Sequence, residues 1–387
     1  MSQDNPLTEI LKRRGVNRIV YFHTDHFEPW RALNGRSNNS YDPRNAEDIQ
    51  AFGERTSALW YAKRLTLFYW PNFGRTLGDG PSTMRVPGDP LAVNLRNEAD
   101  DEICQGALKG LGRSTQHEFQ VHYHHEFIAP NEMYCSQYPE YAAYFGDPAN
   151  EKFHSPRYDL ALALTLDQCR NDTGCALETW FFVHGMWALN ASDLDVCTIT
   201  DEIERLMRRG CLGDFTFPAG RSHCDPVTFK EPSLVRPVKA MKGYDSPAAQ
   251  PAPAWGARGR DKDRFFIWSD RMSTFDESLD YYSVNYHLKA DDVAGWAQRL
   301  LEGSHVSDGT LYFKTHAHSM FRAYFEGVEN PYHPHEHPAV RELMDRVADA
   351  LAGVGGTMEF LTASEIYDEF LDAGAGRTGQ AAAAVSA

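Results

Sequence analysis

An α/β fold with a largely parallel sheet, open or closed, is what this sequence predicts. Short aromatic and β-branched runs alternate with stretches of helical periodicity over roughly 300 residues. Polar residues collect at the ends of the short runs, where parallel α/β folds place their sites. No internal repeat or boundary divides the chain, so residues 1–372 are expected to form one domain.

The strand candidates are 18–23 (RIVYFH), 119–124 (FQVHYH), 179–184 (TWFFVH), 213–217 (GDFTF), 264–268 (RFFIW), 310–316 (TLYFKTH) and 357–361 (TMEFL), each flanked by turn residues. Helices are expected between them. Ser155 and Pro156 start 156–170, and Leu160, Ala163 and Leu164 share a face. In 201–209 acids lead, arginines follow and Gly210 stops the run. Apolar stripes mark 291–302 (Val293, Trp296, Ala297, Leu300, Leu301) and 338–352 (Val340, Leu343, Met344, Val347, Leu351). Thr362 and Glu365 read as a capping box for a helix to about 372. Residues 71–100 and 229–262 are expected as inserted loops, the second Pro-rich and lid-like, and 373–387 as a disordered tail.

The 387 residues are 42% hydrophobic and 12% aromatic, a globular composition. Thirty-eight basic residues against 54 acidic give a net charge of −16, which disfavours nucleic acid and anionic membrane surfaces as partners. No apolar run is long enough to span a bilayer, and "MSQDNPLTEILKRRG" lacks the features of a signal peptide, so a cytoplasmic protein is expected. Seven cysteines without a CxxC suit reduced, buried thiols.

Five strand ends present His, Asp or Arg: His23, Asp25 and His26; His122, His124 and His125; His184; Asp214 running on to Arg221; and His316. Residues i and i+2 of a strand share a face, so His122 pairs with His124 and His23 with Asp25. Imidazole nitrogens with a carboxylate oxygen suit Zn²⁺ or another first-row divalent ion, and Co²⁺, Ni²⁺ and Fe²⁺ meet the same donor set. "HPHEHP" (333–338) reads instead as a solvated loop, and the aromatics Trp60, Tyr61, Phe68, Tyr69 and Trp70 as core. Trp187, just past a strand end, is a substrate-contact candidate.

"HTDHFEPW", "HEFQVHYHHE", "FFVHGMWALN", "GDFTFPAG" and "LYFKTHAHS" resemble, in this order, the motifs of the polysaccharide deacetylase superfamily, in a divergent branch. The resemblance spans about residues 18–320, with 357–362 similar to a closing strand. It implies a distorted (β/α)7-type barrel with one divalent metal held by an Asp and two His. It also implies an acidic base beside the ligand Asp and a late His as general acid. Carried over by motif, Asp25, His122 and either His124 or His125 become the ligands, same-face geometry favouring His124, and His316 the acid. The usual adjacent Asp-Asp pair is absent, because Thr24 and His26 flank Asp25. The base is then Glu28, His26 or His23, or Asp25 itself with another ligand in its place. The usual Arg-containing third motif is not recognisable, and "FVHGMW" occupies its region. His184 and Trp187, with Asp214 and Arg221, are therefore assigned to substrate.

The expected function is hydrolysis of an N-acetyl, N-formyl or similar amide on a sugar, sugar nucleotide or biosynthetic intermediate. Two rivals stand beside it. An amidohydrolase-type deaminase also uses HxH, but on its first strand. A barrel that binds a glycan or other small molecule without catalysis is the other. A small-molecule or saccharide partner is expected in each case, and the sequence carries no signal of oligomeric state.

Overall fold

The computed structural model describes residues 5–29, 43–71, 98–123, 154–194, 197–217, 223–255, 263–269, 292–317, 319–320 and 334–372. In chain order these form α1 (Pro6–Arg13), β1 (Arg18–Phe27), α2 (Pro43–Ala58), β2 (Thr66–Tyr69), α3 (Glu98–Ser114), β3 (Glu118–Tyr123) and α4 (His154–Thr173). Then come β4 (Trp180–His184), α5 (Glu202–Arg208), β5 (Cys211–Asp214), β6 (Ser233–Val235), β7 (Ala252–Pro253), β8 (Phe265–Ile267) and α6 (Val293–Gly303). The chain continues through β9 (His305–Ser307), β10 (Thr310–Ala317), α7 (Pro338–Ala352), β11 (Thr357–Phe360) and α8 (Ala363–Asp372).

The strands join one sheet in the order β7-β6-β8-β5-β4-β3-β2-β1-β10-β9, with β11 also on β1. From β8 to β10 the ladder is parallel throughout; β6, β7 and β9 attach antiparallel. Helices α2, α3, α4 and α5 make the crossovers between the parallel neighbours β1, β2, β3, β4 and β5, since parallel neighbours need such connections. Gly213 lets β5 lie close to β8: a Cβ there would meet the Phe266 carbonyl oxygen at 2.7 Å.

Alternation along each strand sorts the core into two. Ile19, Tyr21, Phe27, Leu67, Tyr69, Phe119, Val121, Phe182 and Phe313 belong to the larger core, which includes the apolar faces of α1, α2, α3, α6 and α7. Val20, Phe22, Phe68, Phe181, Val183, Phe266, Trp268 and Tyr312 form the second, with Ile366, Tyr367 and Phe370 of α8. This second face is concave. The Phe22 ring on β1 lies 4.6 Å from Trp268, just beyond β8, although β2, β3, β4 and β5 separate those strands in the ladder. Lys314 of β10 spans the same space, its Nζ donating to the Phe215 carbonyl at 2.7 Å and the Phe217 carbonyl at 3.0 Å.

α8 closes the concave face at the N-terminal ends of the strands. Its first amides donate to Thr66 Oγ1 (Ala363, 2.8 Å) and Glu118 Oε2 (Ser364, 3.2 Å). Arg18 grips Glu359 and Glu369 from below. The C-terminal strand ends, opposite α8, carry the polar residues.

Two sequence expectations are corrected. Residues 229–262 are not one long surface loop: β6, β7 and two 3₁₀ turns (Gly243–Asp245, Pro247–Ala249) order the described part, and Tyr244 is buried among them. Nor is the described part of "HPHEHP", residues 334–338, a solvated loop. His335 is buried, and His337 caps α7 by accepting the Ala339 amide proton at 3.1 Å. Residues 72–97 and 373–387 lie outside the described part. Among the described residues no helix is long and apolar enough to cross a membrane.

Candidate functional site

The site grows from the concave face of β1. Thr24 pairs with His316 on β10 and with Thr66 on β2. His26, two residues on, pairs with Phe68, which pairs with Gln120 on β3. Glu28, Trp70 and His122 occupy the next level. Alternation thus gathers His26, Glu28, His122 and His316 at the C-terminal end of three strands that the sequence holds far apart.

The local geometry is specific. His122 Nδ1 lies 2.8 Å from the Val183 carbonyl oxygen, so this nitrogen carries a proton. Nε2 therefore points its lone pair, or a second proton, at Glu28 Oε1, 2.9 Å away. A lone pair cannot face a carboxylate oxygen at that range without a proton or a cation between them. The His26 ring lies 4.8 Å from that of His122 and 5.8 Å from that of His316. One donor atom from each of His26, Glu28 and His122 falls within 4.8 Å of the others. Trp70 flanks His122 at 6.5 Å, ring to ring. Thr24 Oγ1, buried in the level below, has no hydrogen-bond partner among the described residues.

Asp25 is absent from this group. It points to the outer face, beside His23 and His335, because β1 runs unbroken to Phe27 and neighbouring residues alternate. The structure thus separates Asp25 from His122. Burial raises the Asp25 carboxyl, but the His23 and His335 imidazoles outweigh it and hold it below the ordinary range. His23, pushed down to about 3 by burial and then by His335, is neutral.

His184 and Asp214 also lie on the outer face. His184 pairs with Tyr123, and Asp214 with Phe182 and Ile267, all in the outer row. His184 Nε2 sits 3.4 Å from Glu202 Oε1, and Glu202 in turn accepts from Tyr158 OH at 2.9 Å and the Asn190 amide at 2.6 Å. Cys197 completes a second buried donor group with them. Asp214 accepts from the Thr216 amide and hydroxyl, yet burial pushes its carboxyl up to about 7. These residues are walled off from the concave face by the sheet itself. Trp187 differs: it lies just past β4 in a 3₁₀ turn, takes a left-handed φ of 62° and presents an exposed indole. His124 and Arg221 lie outside the described residues.

No family model matches the chain, and neither does any curated protein or solved structure. The site rests on its own geometry.

Trp70, Thr24 and His335 border these groups although sequence alone assigns none of them to a site. Trp70 carries a usable signal: it falls one residue beyond an apolar strand, as His122 and His184 fall at strand ends. His335 carries no strand signal, because it reaches β1 from a Pro-flanked turn.

Proposed function

We propose that this chain is a metal-dependent hydrolase that removes an acyl group from an amide nitrogen on a sugar or related small molecule, built on a (β/α) barrel-like frame. The observation that carries the reading is His122. Its Nδ1 is committed to the Val183 carbonyl, and its Nε2 meets Glu28 in a group shared with His26. A backbone acceptor behind one ring nitrogen is how a metal-ligating histidine is oriented. Two imidazoles and one carboxylate suit Zn²⁺ and its neighbours, and the 2.9 Å His122–Glu28 pair needs to open by only a few tenths of an ångström to admit an ion.

A divalent ion bound there supplies Lewis acidity and lowers the pKa of a coordinated water toward neutrality. The residues divide the remaining work. His26, Glu28 and His122 hold the ion, so Glu28 serves as a ligand in place of Asp25. His316, on the neighbouring strand, delivers a proton to the departing nitrogen. Trp70 flanks the ligands, and the indole of Trp187 offers an apolar face of the kind that stacks on a sugar ring.

The test is a screen of N-acetyl and N-formyl amino sugars for released carboxylate. His316→Ala is expected to lower kcat by about 10²–10⁴-fold with metal content unchanged. Release of ammonia in place of carboxylate, or full turnover in His316→Ala, contradicts the reading.

A further inference from the structure

On the outer face of β1, behind the proposed active site, His23, Asp25 and His335 converge from β1 and the 3₁₀ turn before α7. All three are buried, at 0%, 0% and 1% exposure. His23 Nε2 lies 3.3 Å from Asp25 Oδ2, at the long end of hydrogen-bond range, and His335 Nε2 lies 3.7 Å from the same oxygen, beyond that range. The two imidazoles meet edge to face at 4.5 Å.

Hydrogen bonding alone leaves this cluster incomplete. Tyr21 OH lies 2.8 Å from Thr315 Oγ1, which lies 2.7 Å from His23 Nδ1. Asp25 accepts from the Ser319 amide at 3.2 Å and from the Ser319 hydroxyl. His335, in contrast, has no hydrogen-bond partner on either ring nitrogen among the described residues. A buried polar atom left unpaired is costly, and native structures rarely keep one without a reason. The spacing supplies the reason. Both Nε2–Oδ2 distances, 3.3 and 3.7 Å, exceed the length of about 2.7–2.9 Å of a charge-assisted N–H···O bond. Donors bound tetrahedrally at 2.0–2.1 Å stand apart by about 1.6 times that length, or ~3.4 Å.

We propose that His23, Asp25 and His335 form a second metal site, a buried structural centre for Zn²⁺ or a similar divalent ion, separate from the His26–Glu28–His122 group. In this arrangement His23 donates Nδ1–H to Thr315 and offers Nε2 to the ion, and His335 turns its Nε2 the same way. The ion ties the turn before α7 to the central strand. Tyr61 holds the same turn by donating its hydroxyl proton to the His335 carbonyl.

The experiment strips the full chain with chelator, reloads it with Zn²⁺ and counts bound equivalents in wild type, His122→Ala, His335→Ala and the double variant. Two equivalents, one, one and none are expected, with Tm falling when the His335 site is emptied. One equivalent in wild type and none in His122→Ala overturns the proposal. Loss of metal in His335→Ala but not in His122→Ala supports it and removes the reading of the active site instead. Co²⁺ loading of a His122→Ala, His335→Cys protein gives a gain-of-signal check. A thiolate-to-cobalt charge-transfer band is expected, and native circular dichroism without that band overturns the assignment.

Discussion

At the scale of single residues, alternation decides chemistry. Asp25 and His26 are neighbours in sequence, yet one faces the helices and the other the concave side. From sequence the first strand candidate is 18–23, with His23, Asp25 and His26 at its end. The ladder instead continues to Phe27, pairing with β2 over Thr24–Phe27, and so imposes opposite faces on adjacent residues. Strand length, not residue type, is the illegible quantity. His26, Glu28, His122 and His316 are all candidates from the sequence, but which of them meet depends on register between strands that no local pattern reports. His117 yields a prediction at this scale. Its Nδ1 accepts the Leu65 amide at 3.2 Å, while Nε2 donates to Thr56 Oγ1 at 2.8 Å, so the fold requires the neutral ring. Burial, then His335, pushes the imidazole down to about 4. An unfolded His binds its proton near pH 6.5, so between those values the unfolded chain holds a proton that the native chain does not. This contribution is complete above about pH 6.5 and declines as the pH falls toward about 4. Thermal unfolding of His117→Asn is expected to lose Tm less steeply than wild type over that window; parallel slopes would contradict the assignment.

At the scale of elements, legibility follows pattern strength. α7 lies at the expected 338–352, because an unbroken apolar stripe and Pro338 mark it. For α8 the structure bears out the Thr362–Glu365 pairing, Glu365 Oε2 accepting the Thr362 amide at 2.9 Å. α2 and α3 are not legible, since Gly53 interrupts the one and Gly106, Gly110 and Gly112 the other, and glycine disfavours helix. Tertiary packing overrides that preference: Phe52 and Leu111 are buried in the shared core. β6, β7 and β9 are two or three residues long, too short for an alternation signal. The weight that α8 carries is measurable. Phe370 is fully buried, with ring neighbours Tyr312 at 4.6 Å, Trp255 at 5.4 Å and Trp268 at 5.9 Å. Phe370→Ala is expected to cost about 3–5 kcal/mol, read as a lower urea midpoint at unchanged m. An unchanged midpoint would mean that α8 is dispensable to the concave core.

At the scale of the whole molecule, the sheet's coil brings distant segments to one end and packs α8 into the other. The α/β class and the parallel order follow from the alternation of elements, and both are legible in the sequence. The coil itself is not, because it rests on contacts such as Phe22 with Trp268 and Lys314 with the Phe215 carbonyl, between residues far apart in the chain. Polar strand ends opposite an end closed by α8 are the arrangement from which parallel α/β enzymes work. The most direct test of the proposed catalytic metal centre compares Glu28→Gln with wild type for bound zinc and for carboxylate released from N-acyl amino sugars. Loss of about one metal equivalent together with loss of turnover is expected, because the proposed donor set takes its carboxylate from Glu28. Glu28→Gln protein that keeps its full zinc content and full turnover would contradict that centre.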